Sequence, residues 1–69
     1  MKRVFCVMQG ERYEGGSIHG VYTSLDKALE FVQNNFSEYD LSKNVATFSW
    51  ERKWHDGCDW LSITRWDVE

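Results

Sequence analysis

All four tryptophans of the chain fall between Val45 and Val68, and the Asp56-Gly57 step inside that segment constrains the fold most. Asp-Gly is among the strongest short hairpin signals, because a type I′ turn needs positive φ at both central residues. A tight turn there folds the segment back on itself as an aromatic β-hairpin. His55 then opposes Cys58, Trp54 opposes Asp59, and strand alternation sorts the remaining side chains by face. One face holds Ala46, Phe48, Trp50, Leu61 and Ile63, with Arg52, Arg65 and Trp54 towards its edges. The other holds Val45, Thr47, Ser49, Glu51 and Lys53 opposite Trp60, Ser62, Thr64, Trp66 and Val68. The first face suits a core. The second is hydroxyl and charge, yet it carries Trp60 and Trp66. A one-residue slip exchanges the two faces, so the register decides the outcome.

The rest of the chain supplies partners for that hairpin. Val4 to Met8 is a short apolar run of strand formers, as expected for a central strand. Glycines punctuate the polar stretch Gly10 to Gly16, which predicts a hairpin tip. Ser17 to Tyr22 is a second strand, with Gly20 as a candidate bulge. Thr23 as N-cap with Asp26 three residues on resembles a capping box. Leu25, Ala28, Leu29, Val32 and Phe36 then recur at helical spacing, and Asn34-Asn35 offers a stop. Ser37 to Asn44 is a connecting loop anchored by Tyr39 and Leu41. The sequence therefore predicts one α+β domain over 1–69, β-β-α-β-β, a four-stranded antiparallel sheet with one helix on one face.

Sixty-nine residues suffice for one domain, and a composition 42% hydrophobic and 16% aromatic gives it a core without metal or disulfide. The net charge of −3 disfavours a nucleic-acid partner, since phosphate binding needs a basic surplus. Lys2-Arg3 before Val-Phe-Cys-Val-Met imitates the start of a signal peptide, but the apolar run is short and lacks a small-residue cleavage site. No stretch approaches membrane-spanning length. The expectation is a cytoplasmic protein with Cys6 and Cys58 reduced, and no membrane partner.

Catalytic and cofactor signatures are weak. Cys6, His19, His55 and Cys58 are the right types for zinc but lack a paired C-x₂-C spacing, so no metal is expected. Cys58 beside His55 at a hairpin tip has no pocket and no third orienting group, so it is not a nucleophile. Asp56, Asp59, Asp67 and Glu69 gather on the last hairpin as a solvated rim. The loop Gly10 to Gly16 lacks P-loop or dinucleotide spacing, which predicts no nucleotide cofactor. As a contact loop it would act through Arg12 and Tyr13.

Two alternatives remain for the tryptophan face. Lying flat over Lys53 and Thr47, Trp60 and Trp66 would only cover their own sheet, contributing about 0.2–1 kcal/mol per pair. Left exposed, they form a binding patch, since tryptophan is enriched among interface hot spots. On the second alternative the anchors are Trp60 and Trp66, with Lys53, Glu51 and Asp67 as rim residues. The expected partner is another protein, or a second copy of the chain.

The passage Gly20-Val21-Tyr22-Thr23-Ser24-Leu25-Asp26-Lys27-Ala28 runs from strand to helix, preceded by Val4-Phe5-Cys6-Val7 and followed at the end by Arg65-Trp66-Asp67-Val68-Glu69. This pattern resembles small bacterial and tailed-phage accessory domains. The resemblance brings no catalytic residues. It implies a non-enzymatic module that binds and inhibits a host enzyme or defence complex by steric occlusion. A homodimeric structural domain and a small-ligand or nucleotide sensor are the alternatives.

Overall fold

The computed structural model describes residues 2–11 and 15–68. Strand β1 (Lys2–Glu11) is followed by β2 (Gly15–Tyr22), helix α1 (Leu25–Asn35), β3 (Arg52–Asp56) and β4 (Asp59–Val68). This is the predicted β-β-α-β-β order. The strands form one antiparallel sheet, β2-β1-β4-β3. Each sequential hairpin is a neighbouring pair, and the two hairpins join through their long strands. β1 and β4 pair continuously from Lys2 opposite Val68 to Glu11 opposite Asp59.

Helix α1 starts one residue later than the predicted cap. Ser24, not Thr23, is extended and accepts the Lys27 N–H on its hydroxyl at 3.2 Å. Asp26 lies in the first turn, where the free N–H groups favour a carboxylate. The helix ends at Asn35, but no asparagine turns left-handed there. Phe36 closes it instead, its N–H donating to the Val32 carbonyl at 2.8 Å. Ala28 and Val32 are fully buried, and Leu25, Leu29, Phe31 and Phe36 pack around them. The Gly20 bulge also forms. Val7 pairs with Gly20 and Met8 with Ile18, leaving His19 as the extra residue against the Phe36 ring at 5.3 Å.

The last hairpin differs from expectation in two ways. Its two-residue loop is Gly57-Cys58, with Asp56 opposite Asp59. Gly57 has φ +62° and, among the described residues, no non-glycine residue has positive φ, which is the glycine-first II′ arrangement rather than I′. Trp54 consequently pairs with Leu61 and Arg52 with Ile63. The expected exchange of faces on a one-residue slip does not occur. Sliding a two-residue loop by one position changes each partner by two residues, so the faces survive while the pairs do not. The second difference is length, because β3 is not a strand from Val45 onward. Asn44 accepts the Ala46 and Lys53 N–H groups on one side-chain oxygen, at 3.0 and 2.9 Å. Val45 donates to the Lys53 carbonyl at 2.8 Å, so residues 44–46 double back along the outer edge of β3. Asparagine competes here with the ladder for backbone donors.

That change redistributes the aromatics. Phe48 and Trp50, predicted for the core, lie outside it. Phe48 is exposed and stacks on half-buried Trp50 at 4.7 Å, with the Arg65 guanidinium 4.3 Å from the Trp50 ring centre. Ala46 is only half-buried. The core centre is instead Trp54, 1% exposed, which the sequence places at an edge. Its indole N–H donates to the Leu41 carbonyl at 3.0 Å, tying the connecting loop to the sheet. Val7, Leu61, Ile63 and Tyr39 complete the cluster with the helix residues. Tyr39 and Leu41 are thus anchors, as their positions predict. Among the described residues no helix is long and apolar enough to cross a membrane.

Trp54→Ala should cost about 3–5 kcal/mol, enough to unfold most of a domain this small. The Tyr39 hydroxyl is buried without a partner of good geometry among the described residues, and burial pushes its phenol pKa up. Removing an unpaired buried hydroxyl relieves a desolvation cost. Tyr39→Phe should therefore match or exceed wild-type stability by about 0–1 kcal/mol in urea unfolding. The folded state holds this proton more tightly than the unfolded chain. Stability is therefore unaffected below the ordinary tyrosine pKa and falls as pH rises through the raised one. The variant should lose that alkaline component.

Candidate protein-docking face

β4 is paired on both sides, which fixes the direction of every side chain along it. Leu61 and Ile63 are fully buried in the cluster that contains the helix residues. Trp60, Ser62, Thr64 and Trp66 therefore point to the opposite face. The pairings place Val4, Cys6, Met8 and Gly10 of β1 beside them, with Ile18 and Val21 of β2 beyond. Lys53 and His55 of β3 complete the same face. Its margins are open to solvent, with Ile18 60% exposed, Val21 55%, Trp66 58% and Val68 46%, while Cys6 and Ser62 at its centre are buried among their neighbours.

Trp60 and Trp66 sit at opposite ends of this face and are held differently. Trp60 shares a row with Gly10 and Gly16, and its half-buried indole lies across both. A Cβ at Gly16 would stand 2.6 Å from the Trp60 ring, and one at Gly10 would stand 2.7 Å from it. The glycines leave a shallow bed that the ring fills. This joins β4 to β1 and β2 by a side chain, and it explains glycines inside two strands where they otherwise weaken a sheet. The ring does not lie over Lys53 and Thr47. Trp66 is the freer of the two. Its indole N–H donates to the Thr64 hydroxyl at 3.0 Å, which holds the exposed ring along its own strand.

The predicted rim divides. Lys53 is exposed in the row of Ser62 and Met8. Glu51 is half-buried just before β3 and lines, with Lys53, His55, Trp60, Ser62 and Thr64, a cavity of about 540 Å³ at the β3 edge. Asp67 does not join them. Alternation turns it to the helix side, where its carboxylate meets Arg3 at 3.6 Å. Arg12 and Tyr13 lie outside the described residues. Val45 is exposed, and Ile18 and Val21 of β2 are exposed apolar contributors that the sequence reading leaves unassigned.

Chemistry on this face is sparse. Cys6 is buried at its centre, and burial pushes the thiol pKa up, away from the reactive thiolate. Cys58 is exposed in the turn. Asp56 and Asp59 flank that turn, far along β4 from Asp67. Among the described residues no three His, Cys, Asp or Glu side chains converge as metal ligands. The arrangement offers apolar area, one pinned indole and an adjacent acid and base.

Gly16→Ala should lift the Trp60 ring from its bed, raising the iodide-quenchable fraction of tryptophan emission and costing about 1–3 kcal/mol. Ile18→Ala, on the same face but away from that ring, should leave the Trp60 quenching unchanged. Equal quenching in the two variants would contradict the bed. Comparison of the chain with protein-family models, with curated proteins and with solved structures finds no match.

Proposed function

We propose that the protein is a non-enzymatic module that acts by docking another protein on its uncovered sheet face. The observation that carries this reading is the exposure of Ile18, Val21, Trp66 and Val68 on the side of the sheet opposite the helix. Small soluble proteins rarely leave a contiguous apolar patch of more than a few hundred Å² exposed without a binding use for it. Trp66 is the anchor. Its ring is already oriented by Thr64, so docking costs little additional ordering. Trp60 provides a flat floor, and Lys53 with Glu51 a polar rim. A module of this kind acts by occupying a surface. In the phage setting that the sequence resembles, the occupied surface belongs to a host enzyme or defence complex and the effect is steric inhibition. That part is carried by the sequence resemblance alone.

The double variant Trp66→Ala with Ile18→Ser removes exposed side chains, so its folding should stay within about 0.5–1 kcal/mol of wild type. Affinity capture from the native host, quantified by mass spectrometry, should show a protein retained by wild type and reduced at least about tenfold with the variant. Retention of the same proteins in the same amounts by both would remove the reading.

A further inference from the structure

We propose that the occupant of this face is a second copy of the chain, packed sheet to sheet about a two-fold axis. The inference rests on the docking reading above and names its partner. The first argument is size. Strands of ten, eight, five and ten residues, about 4.8 Å apart and rising about 3.3 Å per residue, give a flat footprint of roughly 500 Å². Stable pairs bury about 600–1,000 Å² per partner. A second sheet of the same dimensions matches this one in outline, and the contact falls just under that bound, in the range of weak, concentration-dependent pairs.

The second argument is the order of residues on the face. Rows run across the sheet from Lys53 through Ser62 and Met8 to Ile18, and next to it through Thr64 and Cys6 to Val21. Glu51 lies at the β3 end of the second row, lining the same cavity as Thr64 and Lys53. A two-fold axis lying in the face between these rows, perpendicular to the strands, superposes each strand antiparallel on its own copy. The rows then exchange. Lys53 meets Glu51 of the partner subunit, and Glu51 meets the partner's Lys53, so both rim charges are paired. Buried Ser62 lies opposite the partner's half-buried Thr64, so the centre of β4 is low and lets the margins approach. Trp60 and the partner's Trp66 reach the same level along the strands, one ring lying over β1 and β2 and the other along β4, so they sit side by side at each end. A face whose acid and base sit in adjacent rows at one edge, and whose two large rings flank small residues, is complementary to itself. Closed isologous pairing has this requirement.

Sedimentation equilibrium from about 1 to about 300 µM tests it, the range set by the micromolar affinity typical of an interface at this lower size. Wild type should move from one to two copies across that range. Lys53→Glu and Glu51→Lys should each weaken association at least about tenfold by placing like charges together twice. The double variant Glu51→Lys with Lys53→Glu should recover wild-type association. An equimolar mixture of the two single variants should form a mixed pair, which repulsion within one chain cannot explain. Circular dichroism confirms folding throughout. A monomer at every concentration overturns the inference, as does a dimer indifferent to all these charges. If the monomer's captured protein is still lost in the Trp66→Ala, Ile18→Ser variant, the docking reading stands with a different partner. If capture is indifferent to that variant as well, both fall.

Discussion

Pairing of β4 on both edges is the constraint from which the remaining architecture follows. Bound to β1 along its whole length and to β3 at its start, the strand cannot rotate. Leu61 and Ile63 are committed to the helix and the tryptophans of the alternate positions to the other side. A single helix of eleven residues covers only one of the two faces. The sheet is thus one-sided in cover but two-sided in apolar content, since Val4, Cys6, Met8, Ile18 and Val21 line the face that α1 never reaches. Antiparallel sheets commonly leave one face in water, but that face is then polar. Here apolar side chains share it with Lys53, His55, Ser62 and Thr64, and that mixture is what supports the docking proposal.

The interior is assembled by two long-range ties rather than by the helix alone. Trp54 fills the space between sheet and connecting loop and spends its one donor on Leu41, so the loop from Ser37 onward is fastened from the sheet side. Trp60 performs the equivalent service outside, bridging both hairpins over Gly10 and Gly16. One ring is dry and one is half wet. Between them they connect every strand of the sheet. These ties link distant parts of a chain of 69 residues whose two cysteines are unpaired.

The fold class was legible because local signals agreed: an apolar run, a glycine-rich tip, a helical stripe and a glycine at the last turn all point one way. The faces of β4 were legible for a narrower reason, since parity survives a shift of the loop from Asp56-Gly57 to Gly57-Cys58. The near half of the hairpin was not. Alternation from Val45 to Glu51 imitates a strand, while a single side-chain oxygen on Asn44 diverts it. Side-chain capping of this kind leaves no periodic trace. Trp50 and Trp54 accordingly exchanged roles. Asp67 was misassigned to the rim for a simpler cause, because its neighbour in sequence, Trp66, faces the opposite way.

The same Asn44 has a consequence for how strands add to this sheet. Its side chain and Val45 shut the middle of the outer edge of β3, whereas β2 carries no lysine, arginine, carboxylate or proline along its rim. Unprotected edges are where sheets recruit further strands. Strand addition in the plane of the sheet is thus easier at β2 than at β3, where the outward groups of Lys53 are already taken.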